Sequence, residues 1–109
     1  MAPDQALILA GQGRALLAAG QNISALQSLK NARDMDFKNI ILLHDLALVY
    51  AKLENQGMAA LITAERFGLT GVLKDAQRHA KKAEALLPQG SPPWQRAQDI
   101  LNANHLKSN

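Results

Sequence analysis

Apolar residues recur along the whole chain at spacings of three and four, and short stretches containing glycine, asparagine or proline interrupt them. This periodicity is typical of amphipathic helices, because apolar residues alternate with polar ones in a half-buried strand. The interruptions delimit six predicted helices, at about Pro3–Ala19, Ile23–Met35, Ile40–Leu53, Met58–Leu69, Leu73–Leu87 and Pro92–Ala103. Since the connections between them are short, neighbouring helices are expected to run antiparallel.

Residues that start or stop helices stand at the predicted boundaries. Gly20 is expected to end the first helix, and Asn22 is interpreted as the N-cap of the second. The turn sequences "ENQG" and "TG" follow the third and fourth helices. These signals support the division into six elements.

The stretch "LLPQGSPPWQRAQDIL" at residues 86–101 concentrates helix breakers and the single tryptophan of the chain. Pro88 is expected to stop the fifth helix, and Ser91 is placed to cap the sixth. Pro92 falls in the first turn of that helix, where its missing N–H costs little. The apolar face that contains Trp94 predicts that the last helix covers the end of the helical array.

Two segments of the chain superimpose when one is shifted by 51 residues. Small residues occupy the same relative positions in both, namely Gly13, Gly20, Ala25 and Ala32 in the first segment and Ala64, Gly71, Ala76 and Ala83 in the second. Larger residues coincide as well, since Leu16 corresponds to Phe67. Small side chains are required where two helices cross closely, so both segments predict the same tight helix pair.

This spacing resembles the tetratricopeptide repeat, a helix–turn–helix unit of 34 residues. The last unit matches it best, at Ala64, Phe67, Gly71, Ala76, Ala80, Ala83 and Pro88, whereas Phe37 stands where the first unit would have its closing proline. A middle unit begins near Asn39 and places Ala47, Tyr50 and Ala59 at repeat spacing. The resemblance implies an all-α, tetratricopeptide-repeat-like (TPR-like) right-handed superhelix of about six antiparallel helices. That amounts to two and a half to three units, with the last helix, which carries Trp94, as a cap.

The two best frames lie one and a half repeat periods apart. The helix at Met58–Leu69 must therefore be the second helix of one unit and the first helix of the next. A continuous solenoid permits this double role, because each helix packs on both of its neighbours. We expect one domain over residues 1–104, a frayed tail over 105–109, and an origin as the C-terminal fragment of a longer protein.

Composition narrows the class of protein further. Hydrophobic residues make up 48% of the chain and aromatic residues only 4%, so the core must consist mainly of Ala and Leu. The net charge of +3 is small, and the basic cluster Lys74, Arg78, Lys81 and Lys82 is interpreted as a solvated helix face. We therefore expect no nucleic-acid partner. No apolar run has the length of a membrane span, which predicts no membrane insertion.

No pattern of catalytic residues is present in the sequence. The histidines, His44, His79 and His105, form neither an HExxH motif nor an i, i+4 pair. His44 and Asp45 are sequence neighbours that point about 100° apart on a helix, so they are not expected to share a site. The chain also has no cysteine. We predict a non-catalytic chain with no cofactor of its own.

The remaining candidate site is a concave surface lined by the first helices of the units. Its predicted residues are Leu7, Ala10, Arg14 and Leu17 on the first helix and Ile41, His44, Leu48 and Lys52 on the third. Apolar positions with scattered basic groups suit a protein or peptide segment that carries negative charge. The alternative is that several of these residues pack against the neighbouring helix. An exposed apolar first helix also predicts weak self-association.

Residues 52–100 resemble the C-terminal end of bacterial cell-envelope zinc metallopeptidases of the BepA/YfgC type. The shared features are an Ala-rich helix, a "TG" break, a basic helix ending in "LLP" and the closing "GSPPWQRAQDI". The resemblance implies a periplasmic module that recruits substrates or assembly partners, or limits access to the protease. The zinc would belong to a protease domain that this sequence lacks. The alternative is a free-standing cytoplasmic adaptor.

Overall fold

A computed structural model describes the backbone of residues 3–108 and the side chains of residues 5–103. Over the described backbone the chain forms six helices: α1 (Pro3–Ala18), α2 (Asn22–Met35), α3 (Ile40–Lys52), α4 (Gln56–Thr70), α5 (Leu73–Leu86) and α6 (Pro92–Ser108). The described residues contain no strand, so the prediction of an all-α helical repeat is confirmed. The predicted boundaries agree within two residues, except that α6 extends beyond Ala103 to Ser108. The predicted frayed tail falls mainly on residues whose side chains are not described.

Two glycines end the helices that they were predicted to end. Gly20 and Gly71 adopt left-handed backbone angles, with φ of 79° and 80°, a conformation that favours glycine because it has no Cβ. In both turns the following N–H reaches back into the helix. Gln21 N donates to Leu16 O at 2.9 Å, and Val72 N donates to Phe67 O at 3.0 Å. These hydrogen bonds satisfy carbonyls at the helix ends.

Side chains cap three of the helices. Asn39 Oδ1 accepts a hydrogen bond from Leu42 N, Asn55 Oδ1 accepts one from Met58 N, and Ser91 Oγ accepts one from Trp94 N. The prediction that Ser91 caps α6 is confirmed. The prediction that Asn22 caps α2 is wrong, because α2 already begins at Asn22. The carbonyl of Gln21 accepts the first helical hydrogen bond, from Ala25 N at 2.9 Å.

Helices α1–α3 and α4–α6 form two similar three-helix units, here called unit 1 and unit 2. In unit 1, α1 packs on α2, α2 packs on α3, and α1 approaches α3; in unit 2, α4, α5 and α6 pack in the same way. An ion pair occupies the same position in both units. Arg14 pairs with Asp45 at 3.0 Å, and Glu65 pairs with Arg96 at 2.7 Å. The basic residue is on the first helix in unit 1 and on the third helix in unit 2, so the two charges have swapped positions. The 51-residue correspondence is therefore present in the packing as well as in the sequence.

The positions predicted from small residues lie in the seams between helices. Ala25, Ala32, Ala64, Ala76 and Ala83 are fully buried. Gly13 is also buried, and a Cβ added there would lie 2.6 Å from Leu29 Cγ. Among the larger signature residues Tyr50 is buried, whereas Ala47, Ala59 and Phe67 are half-buried and Pro88 is exposed in the turn before α6.

Helix α4 joins the two units, because it packs on both α3 and α5. One core cluster spans α1 to α4 and contains Leu29, Leu43 and Ile62. A second cluster spans α4 to α6, and Met58 packs against both. The predicted double role of this helix is confirmed.

Trp94 packs against the second cluster, which contains Leu61, Ala83 and Ala97. This packing agrees with the prediction that the apolar face of the last helix covers the end of the helical array. Trp94 itself is only half-buried, because α6 is the last helix of the chain and covers the end of the array from one side.

Candidate peptide-binding groove

Seven of the eight residues predicted for the concave face lie at the surface or at the edge of a cleft. Leu7 and Ile41 are 71% and 63% exposed, Leu48 is 42% exposed, and Arg14, His44 and Lys52 are exposed while Ala10 is half-buried. Leu17 does not belong to this surface, because it is buried in the first core cluster. It lies one helical turn after Gly13 and so shares the stripe of α1 that packs on α2.

A cleft of about 360 Å³, here called the N-terminal cleft, lies between α1 and α3. Its lining brings together four of the predicted residues, Leu7, Ala10, Arg14 and Ile41. Asp45 lies at its wall and is 8% exposed. The Arg14 Nε donates to Asp45 Oδ2 at 3.0 Å, so the one cation in this cleft is already paired. The N-terminal cleft is therefore mainly an apolar surface.

The position of Asp45 at this cleft was not predicted from the sequence. Asp45 lines the N-terminal cleft and His44 does not, although His44 Nδ1 lies 3.6 Å from Asp45 Oδ1. The available signal was a single acid inside the apolar run "IILLHDLALVY", since a carboxylate in such a run requires a partner.

A second cleft of about 330 Å³, here called the cationic cleft, lies between α3 and α5 with α4 as its floor. His44, Arg66, His79 and Lys82 line it, and its lining contains no carboxylate. Leu48 and several alanines of α3 and α4 supply an apolar base. The basic cluster interpreted as a solvated face is exposed throughout, and Lys82 of that cluster also lines this cleft. Because α4 is the second helix of one unit and the first helix of the next, α5 lies opposite α3 across it. In the last tetratricopeptide frame, by contrast, α5 is a second helix and is assigned to the outer surface.

Arg66 is the most unusual residue in the cationic cleft. Its Nε is buried and has no hydrogen-bond partner among the described residues. Its guanidinium lies 5.0 Å from the centre of the Phe67 ring, and the same ring stacks on His79 at 5.5 Å. Phe67 thus contacts both the Arg66 guanidinium and the His79 imidazole at the cleft. A buried N–H donor without a partner favours an incoming acceptor such as a carboxylate or a water molecule.

The environment of His79 keeps the imidazole neutral at neutral pH. Burial lowers the pKa of His79, and the positive charges of Arg78 and Lys82 lower it further. Protonation would add a third positive charge beside Arg66 and Lys82, and an anion bound in the cleft would oppose this effect.

The opposite face of the molecule carries a third cleft of about 420 Å³, lined by residues of α2, α3, α4 and α6. At its edge Glu65 accepts hydrogen bonds from Arg33 at 2.9 Å and from Arg96 at 2.7 Å. Leu46 and Tyr50 of α3 line this cleft, and by helical spacing they point roughly 140° away from Ile41 and Asp45. The N-terminal cleft and the third cleft therefore lie on opposite faces of the molecule.

Residues 5–103 contain no group of three or more His, Cys, Asp or Glu side chains arranged to hold a metal ion. No helix in the described part of the chain combines the length and the hydropathy needed to cross a bilayer.

No family model matches the sequence, and no curated protein matches it either. Two solved structures resemble the chain along nearly its whole length. The first TPR of Spaghetti (RPAP3) bound to HSP90 peptide SRMEEVD is 16% identical, with 99% of this chain and 96% of that chain covered and a TM-score of 0.50. The first TPR domain of the human RPAP3 protein is also 16% identical, with 96% and 98% covered and a TM-score of 0.54. The chain thus has a tetratricopeptide-repeat-like fold.

Proposed function

We propose that this chain is a non-catalytic protein-interaction module that binds an acidic peptide segment in the cationic cleft. The observation that carries the proposal is the lining of that cleft, which contains four basic or imidazole side chains and no carboxylate. The guanidinium of Arg66 and the ammonium of Lys82, which both line the cleft, provide contacts for ligand carboxylates. Leu48 and the alanine base accept a small apolar side chain between the acidic ones.

The N-terminal cleft extends this surface on the other side of α3. Leu7 and Ile41 are apolar and exposed, while Arg14 is paired with Asp45. A peptide that crosses the crest of α3 would meet charge on one side and apolar surface on the other. The proposed ligand therefore carries a cluster of acidic residues followed or preceded by an apolar residue.

The peptide SRMEEVD, which is bound to one structural neighbour, is a suitable first probe because it combines acidic and apolar residues. We expect labelled SRMEEVD to bind more tightly than SRMQQVN, and the difference to shrink in high salt. Lys82→Glu should weaken binding by about tenfold or more, because it introduces repulsion at the cleft. Lys81→Glu is the matched control, since Lys81 is exposed on the same helix and lines neither cleft.

Fluorescence anisotropy titrations measure both comparisons. Equal loss of affinity in the Lys81 and Lys82 variants would indicate general electrostatic attraction instead of specific binding in the cationic cleft. Equal affinity of the acidic and amide peptides would contradict the proposal. Arg66→Gln tests the buried donor separately and should weaken binding of the acidic peptide alone.

The wider context of the module is proposed from residues 52–100, whose likeness to the C-terminal end of BepA/YfgC-type envelope peptidases supports a role beside a zinc protease. The alternative is a free-standing cytoplasmic adaptor. The genomic reading frame upstream of Met1 distinguishes them. An HExxH helix and an export signal would support the first context, whereas an initiation site at Met1 would support the second.

A further inference from the structure

One side of α1 presents apolar side chains that no helix of the described chain covers. Leu7 is 71% exposed, and its neighbour Ile8 is 58% exposed. Two adjacent large aliphatic residues exposed on the first helix of a solenoid indicate a contact surface. The internal correspondence between the two units identifies what kind of surface it is.

The 51-residue shift places Leu7 and Ile8 of α1 at the positions of Met58 and Ala59 in α4. Met58 and Ala59 are half-buried, and both pack against the core cluster to which α3 contributes more buried residues than any other helix. The stripe of α4 that is covered by α3 thus has an equivalent on α1 that is uncovered. A helix similar to α3 would fit against α1.

The chain itself contains such a helix. The same shift relates α3 to α6, so that Leu46 corresponds to Ala97 and Tyr50 to Leu101. Both helices pack on the two preceding helices of their unit. Helix α3 then receives α4, whereas no later helix packs on α6 in the described part of the chain. Leu101, the counterpart of the buried Tyr50, is consequently only half-buried.

We propose that α6 of one copy packs on α1 of a second copy, head to tail, and reproduces between chains the packing of α3 on α4. The occupant of the uncovered α1 surface is thus another copy of this chain. Such a contact is heterologous, because it joins two different surfaces, and it leaves a free α1 and a free α6 at the ends of every assembly. Association therefore continues with increasing concentration instead of stopping at a dimer.

Sedimentation velocity of the full chain at increasing concentration tests the association. We expect the average mass to rise from 11.8 kDa through that of a dimer to larger species. Ile8→Asp and Leu101→Asp should each abolish this rise, because a buried unpaired carboxylate is unfavourable. Ile23→Asp is the control, since Ile23 on α2 is 76% exposed and lies outside the proposed contact.

Mixing the two defective variants gives the sharpest result. The Ile8→Asp chain keeps a functional α6, and the Leu101→Asp chain keeps a functional α1. An equimolar mixture should form a 1:1 heterodimer and nothing larger, although each variant alone is a monomer. A monomeric mixture of two folded variants would overturn the proposal.

Disulfide trapping provides a test that does not require the aspartate variants to fold. The chain has no cysteine, so Ile8→Cys and Leu101→Cys each introduce a single thiol. The mixture should yield mainly the disulfide between the two different variants under mild oxidation. Predominant Ile8→Cys homodimers would instead indicate a symmetric α1–α1 contact, and the head-to-tail arrangement would be wrong.

The contact shares Leu7 with the N-terminal cleft, but none of its residues lines the cationic cleft, which holds the proposed charge contacts. Ile8 and Leu101 line neither the N-terminal cleft nor the cationic cleft. Ile8→Asp should therefore leave SRMEEVD affinity unchanged while it abolishes association. Lys82→Glu should weaken the binding of SRMEEVD and leave association unchanged. Failure of one proposal is therefore distinguishable from failure of the other.

Discussion

Gly13 and Leu29 face each other across the α1–α2 seam, and the equivalent positions in the α4–α5 seam are Ala64 and Ala80. A Cβ on Gly13 would lie 2.6 Å from Leu29 Cγ, which is closer than packed carbon atoms tolerate. The two seams therefore reach a similar closeness with different side chains. In the α1–α2 seam a leucine faces a glycine, which has no side chain, and in the α4–α5 seam two alanines face each other. The combination of the two facing side chains therefore matters for the packing of the seam, rather than the identity of either residue alone.

This complementarity predicts strong coupling between the two positions. Gly13→Ala should destabilise the fold by about 1–3 kcal/mol through overpacking, although alanine is the better helix former. Leu29→Ala should cost about 2–5 kcal/mol because it leaves a cavity. The double variant reproduces the Ala64–Ala80 pair and should cost less than the sum, as a double-mutant cycle from urea unfolding measures.

Gly11→Ala is the control for helix propensity. A Cβ at Gly11 meets no atom within 4 Å, so this substitution should stabilise the fold by about 0.5–1 kcal/mol. If Gly13→Ala stabilised the fold equally, the seam would not be as close as described.

At the scale of elements, the ion pairs that tie α1 to α3 and α4 to α6 differ in burial. The Arg14 side chain is 61% exposed, whereas that of Arg96 is 33% exposed and its partner Glu65 is 18% exposed. Glu65 also accepts from Arg33 and so links α2, α4 and α6. One carboxylate thus holds three helices together on the face opposite the cationic cleft.

Glu65→Gln should therefore be the costlier of two matched substitutions. It leaves two partly buried guanidinium groups without a counter-charge, and we expect a loss of about 1–3 kcal/mol. Asp45→Asn should cost less than about 1 kcal/mol, because Arg14 can turn into solvent. Thermal unfolding at constant pH compares the two variants, and a larger effect at Asp45 would contradict the role given to Glu65.

The sequence predicts elements better than it predicts the candidate site. Periodicity, together with Gly20, Gly71 and Ser91, is local information, and the helices begin and end close to where these signals place them. The cationic cleft arises from the spatial approach of α3 to α5 across α4, and no local pattern encodes that distance. Lys82 and His79 are ordinary surface residues in the sequence and acquire a role only through this approach. Leu17 shows the converse, since it lies three residues after Arg14, and the resulting rotation of about 60° around the helix takes its side chain from the groove into the core.

For the whole molecule, stability should be greatest where helices are covered on both sides. Leu42, Leu43, Leu46 and Val49 of α3 and Leu61 and Ile62 of α4 are at most 2% exposed. Helix α1 and helix α6 are each covered on one side only. In a solenoid, whose stability is a sum over neighbour contacts, the central helices open last.

Native-state hydrogen exchange followed by NMR measures this gradient. We expect the slowest amides in α3 and α4 and progressively faster exchange toward the first turns of α1 and the last turns of α6. At concentrations where copies associate, α1 and α6 should gain protection while α3 and α4 change little. Uniform protection across all six helices would indicate a single cooperative unit instead.

The opposite placement of the N-terminal cleft and the third cleft has a simple geometric origin. Each three-helix unit contains an odd number of antiparallel helices, so each helix of unit 2 runs in the opposite direction to its counterpart in unit 1. Two units, one complete chain, restore the original helix direction, and copies joined end to end would repeat the cationic cleft once per chain. Such an array would bind a partner carrying several acidic segments with an avidity that no single copy possesses.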